Sequence, residues 1–282
     1  MVTKIIISTE SDKDIKEWII GSNRDVKIID TELELFNEKI YIQISFGKSR
    51  VRLADIVPLA RTICSKINDI VIKNIQNNGG QIPCYKGCST CCKRCLVPLS
   101  VPEAFRLKDD IDQSPTDKRH FIWRNCLIAS HHLLKQKSTK KIIRHLSEST
   151  PDKPANLNHI SDWYLSLKLV CPFLRHDVCT IYEQRPLVCR EHFIIGSADE
   201  CENKDSLAEV LDIPIRMSNT LGQLACELES TTVEAVILPL ALIWCDENKK
   251  RAERTWPFEM MVKRFVEIIE EMATKNSTAI AV

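Results

Sequence analysis

A mainly α fold with a small N-terminal β element, an α+β arrangement with cysteine-rich loops between helices, is what three features of this 282-residue sequence predict. Short β-branched and aromatic runs are confined to the first fifty residues, helical spacing of apolar residues dominates from Val51 onward, and most of the thirteen cysteines gather between Cys84 and Cys201.

The β element comes first. Lys4 to Ser8, Val26 to Asp30, Leu33 to Phe36 and Ile40 to Phe46 read as strands, with Asn37-Glu38 as a turn between the last two. From Val51 the period changes: Leu53, Ile56, Val57, Ala60, Ile63, Cys64, Ile67, Ile70 and Val71 share one helix face, which ends at Gly79-Gly80. Ser100 and Glu103 form a capping-box signature around Pro102, so a helix begins just after the first cysteine group and runs to about Asp110. Further helices are expected over about Asp117 to Lys135 and Thr139 to Ser147, before a polar, proline-marked loop from Glu148 to Asn158. Ser206 with Glu209 and Thr231 with Glu234 repeat the capping signature. The apolar run from Ala235 to Trp244 reads as a buried helix, and Pro257 opens a last one with Met261, Val262, Phe265, Ile268, Ile269 and Met272 on its inner stripe. The tail after Thr274 is expected to fray. Three parts follow: a β-rich element over 1–50, a helix with a cysteine-cluster domain over 51–205, and C-terminal helices over 206–282.

Composition narrows the function classes. Lysine plus arginine (39) nearly balances aspartate plus glutamate (38), so no bulk field favours nucleic acid or an anionic membrane. Met1 to Ile20 lacks the apolar segment and small-residue cleavage site of a signal peptide, which reads as a cytoplasmic protein. The Ala235 to Trp244 run is far shorter than the roughly 20 residues that cross a bilayer, and Pro239 interrupts it. In a reducing compartment so many cysteines point to metal or redox chemistry before disulfides.

Two groups carry that chemistry. Cys84-Tyr-Lys-Gly-Cys88-Ser-Thr-Cys91-Cys92 puts four thiols within nine residues, close enough for a tight loop to turn several sulfurs toward one point, as metal coordination requires. Adjacent Cys91 and Cys92 cannot easily face one ion and suit different irons of a cluster, or different metals. The second group reads Cys171-Pro-Phe-Leu, then Cys179-Thr-Ile-Tyr-Glu-Gln-Arg-Pro-Leu-Val-Cys189-Arg, then Cys201.

On these residues the sequence resembles the YkgJ-type cysteine-cluster family of zinc- or iron-chelating proteins, marked by C-x-x-C-x-x-C-C followed by C-x-I-Y-E-x-R-P-x-x-C-R. The resemblance spans about Cys84 to Pro214 and implies ligands at Cys88, Cys91, Cys92, Cys171, Cys179 and Cys189, with Cys84 and Cys201 completing the set. It implies an iron–sulfur cluster or zinc as the cofactor, and a metal ion or cluster as the partner. The chain departs from the pattern in its Cys84-x3-Cys88 spacing and in an extra cysteine, Cys95. Lys86, Lys93, Arg94, Arg185 and Arg190 place positive charge within the motifs, where it would offset thiolate repulsion, although Lys86 and Lys93 fit a solvated surface equally well. Pro186 fixes the chain locally, and Tyr182, Glu183 and Arg185 are candidates to hold the loop by hydrogen bonds.

Isolated cysteines read differently. Cys64, Cys126, Cys226 and Cys245 are assigned to core packing. Of His131, His132, His145 and His192, only His192 follows a motif cysteine closely enough to share its loop. The leading functional reading is therefore a metal-binding cysteine-cluster protein. Cys84-x3-Cys88-x2-Cys91 also spells a radical S-adenosylmethionine motif, but Thr90 replaces the usual aromatic and no glycine-rich strand follows. Two further alternatives are an iron–sulfur-dependent methyltransferase resembling flagellin lysine methylases and a zinc-clamped interaction module. The seven glycines contain no G-x-G for a nucleotide.

Overall fold

The computed structural model describes residues 2–9, 27–35, 38–46, 49–136, 138–147, 157–202 and 209–277. It is mainly helical with short antiparallel strand pairs, the fold class expected.

Strands β1 (Val2–Thr9), β2 (Lys27–Leu35) and β3 (Glu38–Phe46) form an antiparallel sheet in the order β1-β3-β2. Alternation explains its burial: Ile40, Ile42 and Ile44 of β3 point into the core, while Tyr41 and Gln43 face outward. The runs expected as two strands at Val26 to Asp30 and Leu33 to Phe36 are one strand, because Thr31 and Glu32 continue the same alternation in register with Ile42 and Tyr41. Val26, Phe36 and Asn37 lie outside the described residues.

Strand β4 (Arg50–Arg52) and a single 3-10 turn, Leu53–Ile56, precede α1 (Val57–Asn77). The apolar face therefore begins before the helix does, since Val51, Leu53 and Ile56 are buried from non-α backbone. Helix α1 ends as expected: Gly79 adopts φ +83, and Gly80 N–H closes on Ile75 O at 2.9 Å. Next come β5 (Pro98–Ser100), α2 (Val101–Asp112), α3 (Thr116–Leu134), α4 (Thr139–Ser147) and α5 (Leu157–Ser166). The capping box of Ser100 and Glu103 is formed. The loop expected over Glu148 to Asn158 falls largely outside the described residues, and its end is already helical in α5.

The second cysteine group is built from β6 (Leu174–Arg175), β7 (Val178–Cys179), α6 (Leu187–Arg190), β8 (Ile194–Ile195) and α7 (Ala198–Glu202). Strand β9 (Glu209–Val210) pairs with β8, so Glu209 opens no helix, and Ser206 lies outside the described residues. Helix α8 (Met217–Glu229) follows. Thr231 and Glu234 cap nothing: they lead into β10 (Ala235–Ile237), and the Glu234 carboxylate is taken by Arg251 at 2.6 Å and by Trp244 Nε1 at 3.1 Å. The Ala235 to Trp244 run is buried but not one helix; β10 pairs with β5, a 3-10 turn spans Leu238–Leu240, and α9 (Ala241–Glu247) starts only then. Pro239 enforces that break. Helix α10 (Lys249–Ala252) and β11 (Thr255–Pro257), paired with β4, lead to α11 (Phe258–Ser277). Among the described residues no helix is long and apolar enough to cross a membrane.

Helix α8 packs against α1, α2 and α11, and these helices with the inner face of β3 form one large core. A second, smaller cluster of Leu96, Leu133, Ile142, Ile160, Tyr164 and Ile237 lies under α3, α4 and α5. The cysteine segments run between the two clusters.

Candidate metal centre

The first segment turns tightly. Gly87, at φ +107, permits a backbone that a side chain would strain, and Cys88 N–H then closes on Tyr85 O at 3.2 Å. A 3-10 turn at Cys91–Lys93 follows, and Cys95 N–H bonds Cys91 O at 2.8 Å. The second segment is a hairpin of β6 and β7 whose two-residue turn, His176-Asp177, has φ values of 50 and 57, the geometry that matches strand twist. Thr180 ties the hairpin's end back, donating to Phe173 O from its backbone at 2.9 Å and its hydroxyl at 2.8 Å.

Direct bonds join the segments. Cys171 N–H donates to Cys92 O at 2.7 Å. Lys86 pairs with Glu183 at 2.6 Å, and Lys93 with Asp177 at 2.7 Å, so these two lysines clip the first segment to the second at the surface. Arg190 donates to the carbonyls of Arg185 and Glu183 and props the loop from within.

Cys88, Cys91, Cys92, Cys171, Cys179 and Cys189 line one cavity of about 90 Å³, together with Cys95, His192 and Arg185 and the apolar walls Leu96, Phe173 and Ile181. Residues eighty positions apart thus meet on a shared surface. Cys84 and Cys201 are not among the lining residues; they stand to one side, within electrostatic reach of Cys88 and Cys91. All thirteen cysteines are free thiols. Cys64, Cys126 and Cys245 are buried away from the cavity, whereas Cys226 is half-buried and donates to Thr231 O at 2.7 Å. Among His131, His132 and His192, only His192 reaches the site, and the His145 side chain lies outside the described residues.

Crowding controls the protonation of these thiols. A hydrogen bond with Cys92, then burial, pushes the Cys91 thiol well above its ordinary value. The Cys92 thiol, bonded to Cys171, is pushed up to about 12. Burial, and then neighbouring thiols, raise Cys189. Arg185 opposes this at Cys179 and Cys189. Its guanidinium stacks 4.3 Å above the Tyr182 ring, and its buried Nε has no hydrogen-bond partner. A buried donor without an acceptor is costly, and an anionic thiolate centre in the cavity would satisfy it.

Several supports escaped sequence reading. Buried Glu103 accepts from Ser100 N at 3.3 Å and Ser100 Oγ at 2.9 Å, and its other oxygen accepts Leu187 N–H at 2.7 Å, so one carboxylate starts both α2 and α6. Buried Glu191 accepts from Ser218 Oγ at 2.7 Å. Arg61 donates to Gln184 O at 2.8 Å and Asn68 to Arg190 O at 3.0 Å, binding the second segment to α1. No local pattern announces partners that lie between 27 and 123 positions away.

The donor set fits a soft or borderline metal: clustered thiols, an unpartnered buried cationic donor beside them, and apolar walls that exclude water. Among the described residues no three His, Cys, Asp or Glu side chains are already arranged around one ion, so binding would draw the sulfurs inward. Cysteine-rich loops that bring six motif thiols onto one cavity supply the donor set of a chelating domain. Residues 83–207 match the model of the CxxCxxCC family, described as a putative zinc- or iron-chelating domain. No curated protein and no solved structure matches the chain.

Proposed function

We propose that Cys88, Cys91, Cys92, Cys171, Cys179 and Cys189 hold an iron–sulfur cluster, flanked by Cys84 and Cys201. The carrying observation is that consecutive Cys91 and Cys92, in a 3-10 turn, both line the cavity. Successive residues in such a turn are rotated by roughly 120°, so two consecutive ligands suit neighbouring metal positions of one cluster better than a single ion, while their thiols stay close enough to hydrogen-bond when no metal is bound. When bound, the cluster supplies one-electron redox capacity. The chain's own residues provide the rest: Arg185 offsets thiolate charge, Tyr182 holds the guanidinium in place, and Phe173, Ile181 and Leu96 keep water out. In this reading residues 51–205 are the metal-binding unit, with the β element of 1–50 and the helices of 206–282 as its flanks, and the protein works in a reducing, cytoplasmic setting.

Anaerobic purification of the full chain tests it. Brown protein with iron and acid-labile sulfide, bleaching in air, is the expected result, and Cys91→Ser or Cys179→Ser should remove both. Colourless, air-stable protein carrying zinc would replace the cluster with zinc in the same thiol site. Protein with neither metal would sink the reading entirely.

A further inference from the structure

Two residues of the cavity fall outside the family's cysteine pattern and meet there. Cys95 Sγ and His192 Nε2 stand 3.9 Å apart, and both line the cavity. Bonds of about 2.3 Å to sulfur and about 2.0–2.1 Å to nitrogen put the S···N edge of a tetrahedral site at about 3.6 Å. The pair is thus within a few tenths of an ångström of the separation a shared metal position demands.

Both are held from behind. Cys95 is anchored by its N–H bond to Cys91 O, one turn earlier. His192 follows Glu191, whose buried carboxylate is fixed by the Ser218 hydroxyl and backbone and whose own N–H closes on Leu187 O at 2.8 Å. Such preorganisation lowers the ordering cost of ligation. Cys95 sits at the outer edge of the donor set: it is exposed, whereas His192 and the six motif cysteines are half-buried.

We propose that Cys95 and His192 form a thiolate–imidazole ligand pair that takes the solvent-facing metal position of the centre. This rests on the reading that the cavity binds iron or zinc, and it adds a nitrogen donor to a set otherwise made of sulfur. An imidazole at the exposed edge gives that metal position a neutral ligand in place of an anionic one, which raises the potential of an iron site relative to all-thiolate ligation.

X-ray absorption at the metal edge of the anaerobically purified full chain tests the pair, at iron or zinc according to which the protein carries. Wild type should show a nitrogen scatterer with the outer pattern of an imidazole ring. His192→Gln should lose that pattern, and His192→Cys should keep the metal while exchanging the wild type's nitrogen scatterer for a sulfur, a change that replacing a merely structural histidine would not produce. Cys95→Ser should retain metal against a competing chelator at least about tenfold less well. A metal-loaded wild type with an all-sulfur shell, or variants that match it in both shell and retention, overturns the pair while leaving the centre intact. Wild-type protein with neither iron nor zinc overturns the centre and the pair together.

Discussion

Thiol density is local information, so the cysteine motifs were legible from residue order alone, and six of their thiols do line one cavity. What holds them there was not. Glu103 was readable only as half of a capping box, because its second bond, to Leu187 N–H, crosses 84 positions. That bond fixes the start of α6, which carries Cys189. Glu103→Ala is expected to strand two buried backbone donors, at Leu187 and Ser100, and to cost about 2–6 kcal/mol at roughly 1–3 per unsatisfied group. Glu103→Gln keeps one acceptor and should lose less. Denaturant midpoints measure the difference, and metal content should fall in the Ala variant while helical circular dichroism persists. Equal stability in the three proteins would show that Glu103 does not organise α6. The lysines teach a similar lesson. Lys86 and Lys93 were candidates for balancing thiolates, yet each is spent on a carboxylate of the opposite segment.

Elements with strong local grammar were read well: the α1 stripe and its glycine stop, the α2 cap, α4 and the α11 stripe all lie where period and capping place them. The errors have physical causes. A continuous apolar run does not distinguish a strand from a helix, and Ala235 to Ile237 became a strand because β5 offered it an edge. The capping pattern at Thr231 and Glu234 lost to an ion pair, since Arg251 claims the carboxylate. The β6–β7 hairpin had no Asn-Gly or Asp-Gly to announce it, although His176 and Asp177 both adopt left-handed backbone. That leaves a measurable cost at His176, which is exposed. His176→Gly should raise the melting temperature slightly, whereas His176→Val, β-branched in a left-handed position, should lower stability by about 1 kcal/mol. Because Cys179 closes this hairpin opposite Leu174, the Val variant should also bind metal more weakly. Unchanged melting and metal content in both variants would mean that the hairpin is not strained at His176.

At the scale of the whole molecule, the site lies where two hydrophobic clusters face each other, joined by segments that have few regular elements of their own. The large core of α1, α2, α8, α11 and β3 needs no metal to bury its apolar surface, while the cysteine segments, although Phe173, Ile181 and Leu187 anchor the second of them in that core, depend also on cross-links and, on the proposed reading, on the centre itself. Chelation should therefore unfold locally, not globally. Amide exchange should accelerate over residues 84–97 and 171–195 on metal removal and remain slow in α1, α8 and α11. The same thiols set a pH dependence. In the metal-free fold Cys91, Cys92 and Cys189 are held protonated, by mutual hydrogen bonding and by burial, and ligation must expel those protons. Protons are thus products of binding, so affinity rises with pH and the protection of the cysteine segments is lost as pH falls. With more than one thiol proton released per metal, the apparent affinity should climb by more than about tenfold per pH unit across the neutral range. Competition with a chelator at several pH values, corrected for the chelator's own protonation, measures that slope. A slope near zero would mean that the thiols are already ionised before the metal arrives, and would overturn the upward shifts at Cys91, Cys92 and Cys189.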